Sequence, residues 1–292
     1  MKVNRFTTHS FFKTLVYANV FISICALAQV FVTYIAFSIP VNYNNSSYLV
    51  FIFLSTYLQY NVQRGYLVNQ PHLNTERSIW LLKYKTLLLI SVGLAFVAVL
   101  FLCNSLSSTS ITIMVIAELI STLYYLPPFN IRKHGYLKPF IISVIWVISC
   151  VAVPLIENNI LTGHSSFFLM TQFCFISVLC ILFDIKDSTD DSIHGLNTYA
   201  NTFGTIKTKL ICIVILMIGS LSFYAFTQNM YLVIAMMSII IISAFTVLIS
   251  KEKYHSFYFY LWVDGLLILQ GVVFYFIIKH NDAHLGNLLH NL

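Results

Sequence analysis

The sequence predicts an all-α, polytopic membrane protein with nine transmembrane helices bundled around a central cavity. Three observations predict it. Aliphatic and aromatic residues make up 59% of the chain and charged residues only 9%, and the mean hydropathy is +0.83. Several windows exceed the roughly 18 apolar residues that a helix needs to cross a bilayer. Those windows are continuously apolar rather than alternating, which excludes a strand barrel. No linker, low-complexity tract or shift in composition divides residues 1–292, so they read as a single domain.

In order, the spans fall at about 15–39, 48–63, 79–103, 109–126, 139–157, 166–183, 209–227, 230–250 and 257–279. The first follows a basic start, and Ala26-Leu27-Ala28 resembles a signal cleavage site. The apolar run from Leu15 to Ile39 is too long for a signal core, so it is read as a span. The second turns polar at Gln59, Tyr60 and Asn61. The fourth carries Glu118 at mid-span and the ninth carries Asp264. Ionisable groups at such depth are costly and usually face a cavity, so both are read as cavity-lining. The plainer alternative is a neutral carboxyl tying two helices together. Gln29, Gln172 and Gln270 read as interhelical hydrogen bonds, and the aromatic run Tyr254–Trp262 as an interfacial belt. The six cysteines lie in or beside spans without metal-ligand spacing and read as packing residues.

Orientation follows from Lys and Arg. In or close beside the N-terminal segment and the second, fourth, sixth and eighth connections lie 15 of the 16 basic residues, Lys279 being the exception. The intervening connections hold none. The N-terminus is therefore expected on the cytoplasmic side of a cell inner membrane. The net charge of +6 reads as a topology signal and a basic rim suited to an anionic headgroup or a diphosphate, not as a nucleic-acid footprint.

The densest polar signal is Asp184-Ile185-Lys186-Asp187-Ser188-Thr189-Asp190-Asp191, which holds four of the ten acidic residues. On one helix, Asp184, Asp187 and Asp191 would fall within about 60° of each other at roughly 100° per residue. Such a stripe repels itself unless a cation compensates it, and hard cations with oxygen ligands, Mg²⁺ above all, suit it. The bland reading is an acidic, solvated helix end.

These residues resemble the second acidic motif of the UbiA superfamily of intramembrane prenyltransferases: Asp184, Asp187 and Asp191, followed by Gly195, Thr198 and Gly204. The stretch Tyr125-Leu126-Pro127-Pro128-Phe129, with Arg132, Lys133 and Lys138 before Trp146, is similar to the family's Tyr-x-x-Pro segment. The first motif departs from the family. Asn61 stands where expected, but Val62, Gly65 and Asn69 replace its carboxylates and Arg64 has entered. The resemblance implies a Mg²⁺-dependent transfer of a polyprenyl group from its diphosphate to a lipid-soluble acceptor. Asp184, Asp187 and Asp191 would be catalytic and hold the metal. Asn61, Arg64, Arg132 and Lys138 would bind the diphosphate, an arginine doing so through its planar fork. Two other readings stand beside it: a non-catalytic relative that binds isoprenoid lipid or a membrane partner, supported by the degenerate first motif, and a small transporter using Glu118 and Asp264. His194 reads as a plain loop residue, and the tail histidines His280, His284 and His290 as a frayed end.

Overall fold

The computed structural model describes residues 11–68, 76–126, 135–193 and 195–290. Among them there is no strand. The helices are α1 (Phe11–Tyr17), α2 (Val20–Ala36), α3 (Tyr43–Val68), α4 (Glu76–Lys83), α5 (Lys85–Leu102), α6 (Ser108–Tyr125), α7 (Leu137–Val147), α8 (Val153–Glu157), α9 (Ser165–Lys186), α10 (Ser188–Ile193), α11 (Tyr199–Phe226), α12 (Met230–Ile249) and α13 (Gly265–His290). A π segment, Ile148–Ala152, joins α7 to α8, and another, Tyr258–Val263, leads into α13.

By length and composition seven of the described helices can cross a membrane, or eight if α1 and α2, bent by 71°, count as one span. The expected nine is not reached because of α3. It runs 26 residues, but Asn44, Asn45, Ser46 and Ser47 at one end and Gln59, Asn61, Gln63 and Arg64 at the other dilute its apolar middle. The bend between α1 and α2 sits at Asn19, whose φ of 62° is left-handed, a conformation asparagine tolerates better than most residues.

The inner layer is built on α2, α9 and the span from α7 to α8. In α9, 61% of the span is buried, against 6% in Lys85–Ser105. Leu87, Leu94, Val97 and Phe101 on that outer helix are exposed apolar side chains, as a lipid-facing helix requires.

Polar ties fix the inner helices. Gln29 Nε2 donates to Leu267 O and Gln270 Oε1, both at 3.0 Å, joining α2 to α13 as expected. Gln172 departs from that expectation: it is buried and neither atom of its amide has a partner. Pro154 lacks an N–H for the carbonyl four residues earlier, Cys150 O. The Thr33 hydroxyl fills that vacancy at 2.9 Å, and the Tyr48 hydroxyl donates to Ser149 O at 2.6 Å. All six cysteines are free thiols.

Two backbone devices shape the Lys/Arg-rich end. Gly204 (φ 75°, ψ 159°) interrupts α11 in a conformation almost confined to glycine, and Thr208 Oγ1 spans the break to Tyr199 O at 3.0 Å and Gly204 O at 2.9 Å. Gly135 presses the approach to α7 onto the approach to α11. A Cβ there would stand 2.3 Å from Asn197 O and 2.7 Å from Thr198 N. Both are backbone atoms and cannot swing aside, so Gly135→Ala is expected to destabilise the protein by about 1–3 kcal/mol, as overpacking does. A thermal-unfolding midpoint matching that of the native chain would show that this approach has no such role.

Candidate functional site

The site is assembled where α9 ends. The helix stops at Lys186, and Asp187 caps it with φ −90° and ψ 5° before α10 begins. The single acidic stripe expected from the sequence is therefore broken at Asp187. Asp184 lies on the last turn of α9, Asp187 at its cap and Asp191 on α10, and Asp191 N bonds Asp187 O at 2.8 Å. Asp187 and Asp191 both stay within electrostatic reach of Asp184. The side chain of Asp190 and all of His194 lie outside the described residues.

Asp184 is fully buried, and Lys138 Nζ donates to its Oδ1 at 2.7 Å. Asp184 Oδ2 is buried without a partner. Each member of this pair sits at the helix end whose dipole disfavours it: a carboxylate near the C-terminus of α9, an ammonium in the first turn of α7. Their mutual attraction must offset both costs. Asp187 Oδ1 accepts from Lys186 Nζ at 2.7 Å.

Asp184 and Asp187 are each already neutralised by a lysine, and among the described residues no three His, Cys, Asp or Glu side chains are placed to hold a metal ion. The residues as arranged do not form a Mg²⁺ ligand set.

Cations gather instead. Arg77, on α4, belongs to no motif in the sequence. Its guanidinium lies 5.9 Å from the Tyr17 ring centre and 5.6 Å from that of Tyr260. Nη2 donates to Val16 O at 3.1 Å and to Asn19 Oδ1 at 2.5 Å, while Nε is buried without a partner. Burial, and then the like charge of Arg64 nearby, bring the Arg77 pKa down to about 10, still far above neutrality. Lys186 Nζ stands 5.1 Å from the Tyr260 ring centre. The belt reading of Tyr254–Trp262 is corrected on this point: Tyr260 lies beneath two cations and Phe259 is buried in the core.

Asp264 is the hub. It is only partly buried although it lies inside the ninth span, and Arg77 and Lys186 are the cations that act on it. Its field reaches Tyr60 and Cys180, and Cys180 feels Asp184 and Lys138 in turn. The structure thus brings together Arg64, Lys138, Asp184, Asp187 and Asp264 from the sequence reading. Asn61 plays another part. Its Oδ1 accepts from Asn19 at 3.1 Å, and its Nδ2 donates to Ala18 O and Tyr57 O at 3.1 and 2.8 Å. With both amide hydrogens engaged, it binds the α1–α2 bend to α3 and has none left for a phosphate. Glu118 is exposed on α6, and none of the contacts described for this group involves it. Arg132 lies outside the described residues. Two hollows of about 180 and 110 Å³ lie elsewhere, one an apolar groove between α6 and α7, the other a polar recess lined by Asn42, Asn45 and Glu157.

No family model matches the chain, and no curated protein matches it in sequence. Among solved structures, one from work on the biosynthesis of digeranylgeranylglyceryl phosphate synthase in membranes superposes with a TM-score of 0.58. The two chains are 14% identical over 92% of this chain and 98% of the other. At that identity the likeness shows the fold, and it is the fold implied by the motif resemblance: an all-helical membrane bundle matched over nearly its whole length.

Proposed function

We propose that this chain is a membrane prenyltransferase that binds a prenyl diphosphate at the Lys/Arg-rich end of the bundle and transfers the prenyl group to a lipid-soluble acceptor. The observation that carries the reading is the convergence of Arg64, Arg77, Lys138 and Lys186 around Asp184, Asp187 and Asp264, at one end of an apolar bundle with the fold of a membrane synthase. In the reaction the C1–O bond of the prenyl diphosphate breaks and its electron pair leaves on the diphosphate oxygen. The acceptor's nucleophile closes a new bond to C1 and gives up a proton. Fixed cations stabilise the oxygens on which negative charge develops. The prenyl tail lies among the apolar side chains of the spans. Magnesium, which the resemblance implies, would have to displace Lys138 and Lys186 from their carboxylates, and the reading rests on the side-chain cations. The positive-inside pattern supports a cytoplasmic setting for this end in the cell inner membrane.

The second reading is a non-catalytic isoprenoid binder. Val62 and Gly65 in place of first-motif carboxylates, with Lys138 seated on Asp184, favour it. The full chain in lipid nanodiscs, given geranylgeranyl diphosphate in MgCl₂ buffer, separates the two by release of diphosphate. The enzyme releases it, and Lys186→Met lowers that release by about 10- to 100-fold through loss of one charge-stabilising contact. Saturable binding with no release supports the binder, and no saturable binding overturns both.

A further inference from the structure

We infer that the polar recess between the start of α3, the end of α5 and the end of α8 seats a lipid head group that carries both a primary ammonium and a phosphate, as phosphoethanolamine does. The inference is independent of the transfer reaction, because the recess lies at the end of the bundle opposite the cation cluster. Asn44 and Arg64 stand twenty residues apart on α3, about 30 Å, which is the thickness of a bilayer's hydrocarbon core. The recess is therefore at head-group level on the other membrane face. Its hollow of about 110 Å³ is lined by Asn42, Asn44, Asn45, Ser105, Glu157 and Asn158, with Tyr48 and Leu106.

One set of its polar groups is spent on the fold. Asn45 Nδ2 donates to Asn158 Oδ1 at 3.3 Å and to Pro40 O at 2.7 Å, and Asn158 Nδ2 donates to Asn45 Oδ1 at 3.1 Å and to Pro154 O at 2.9 Å. These bonds join α3 to α8 and make the hollow rigid. A second set is left over, and it decides the ligand. Glu157 Oε1 accepts from Ser107 N at 2.9 Å and from Ser107 Oγ at 2.7 Å, while Oε2 has no partner among the described residues. Ser105 Oγ gives its hydrogen to Leu102 O at 2.7 Å, so it faces a ligand as an acceptor. Asn42 Oδ1 accepts from Asn45 N at 3.0 Å, which leaves the Nδ2 hydrogens of Asn42 and the Asn44 amide unspent among the described residues.

No side chain of this end answers the Glu157 carboxylate. The connections here hold no Lys or Arg, Lys279 Nζ donates to the Tyr275 hydroxyl at 3.3 Å, and His164 Nε2 bonds Phe226 O at 2.7 Å. A ligand that uses every leftover group donates to Glu157 and Ser105 and accepts from Asn42 and Asn44. A primary ammonium has three donors for the first pair, and a phosphate has the acceptors for the second. A trimethylammonium has no N–H to give. A bare metal ion would use the oxygens and leave the amide donors idle. The lipid's chains have a path beside the recess: Phe101, one turn before Ser105, is exposed on α5, as are Leu94 and Val97.

The test is lipid retention by the full chain, reconstituted in nanodiscs of equal parts phosphatidylcholine and phosphatidylethanolamine, extracted in mild detergent and weighed by native mass spectrometry. Phosphatidylethanolamine is expected to be retained about 10-fold more often, the worth of one hydrogen bond to a charged group. Glu157→Gln, whose amide oxygen still serves Ser107, is expected to remove that preference, and Asn44→Ala to lower it. Unfolding midpoints in phosphatidylcholine alone report on the fold of both variants. Equal retention of the two lipids, or an unchanged preference in Glu157→Gln, overturns the seat. So does a native midpoint in phosphatidylcholine that about 1 mM CaCl₂ raises and Glu157→Gln renders insensitive, which makes the recess a metal site. Saturable binding of soluble phosphoethanolamine without retained lipid overturns it too, and places the ligand in solution. Neither variant touches the cation cluster, so binding of geranylgeranyl diphosphate reports separately on the proposed function.

Discussion

Lys138→Met will lower the stability of the folded bundle by about 3–5 kcal/mol, the usual cost of removing one partner from a buried ion pair. Asp184 is fully buried, its Oδ1 is held by Lys138 at 2.7 Å, and its Oδ2 has no partner. Methionine fills the volume of the lysine stem and takes away only the charge, so lost packing does not account for the effect. The variant leaves a carboxylate that must stay charged without a counter-ion or take up a proton. Adding Asp184→Asn should recover much of the loss, because the double variant buries two neutral groups. A loss that the second substitution does not reduce would mean that the pair is not coupled. Magnesium supplies a further arm. In the native chain Lys138 occupies Asp184, so millimolar MgCl₂ should leave the unfolding midpoint unmoved. In Lys138→Met the vacated carboxylate is open to a cation, and the same salt should raise the midpoint. A native midpoint that climbs with magnesium would restore the metal reading that the acidic motif suggested.

The parts of this site that were legible in the sequence were those that one helix or one alternation encodes. Composition gave the all-helical membrane bundle, though not the count of nine spans. The spacing of Asp184, Asp187 and Asp191 picked out the end of α9. The alternation did not give the turn at Asp187, because a helix cap interrupts the angular arithmetic there. Nor did it give Arg77. Thirteen residues separate it from Arg64, on a different helix, and only the tertiary fold sets the two cations beside Tyr260 and Asp264. Tyr260 was hidden for a related reason. An aromatic run at a span end has the composition of an interfacial belt, and the π segment Tyr258–Val263 is what turns Phe259 into the core. Asn61 shows the reverse error. Its place in a motif implied contact with ligand, whereas its amide hydrogens are spent on Ala18 O and Tyr57 O. A motif records which residue is present and cannot record which of its hydrogens are already taken.

Arg77→Ala is the sharpest probe of the cation cluster, and it should weaken binding of geranylgeranyl diphosphate by about 10- to 100-fold. A hydrogen bond to a charged group is worth about 1.5–3 kcal/mol, which corresponds to that range. The buried Nε without a partner is a donor that a phosphate oxygen could satisfy, while Nη2 is committed to Val16 O and Asn19 Oδ1. Those two bonds also hold the bend between α1 and α2, so the alanine variant will lose stability as well. Arg77→Lys separates the roles. Lysine restores a positive charge but has no planar fork, and it cannot donate to the bend and to a phosphate in fixed directions at once. If charge alone is needed, Arg77→Lys binds diphosphate like the native chain. If the fork is needed, as the geometry requires, the lysine variant binds weakly even in buffers where its unfolding midpoint matches the native one. Native-like binding by Arg77→Ala would remove Arg77 from the site and leave it as a brace for the bend.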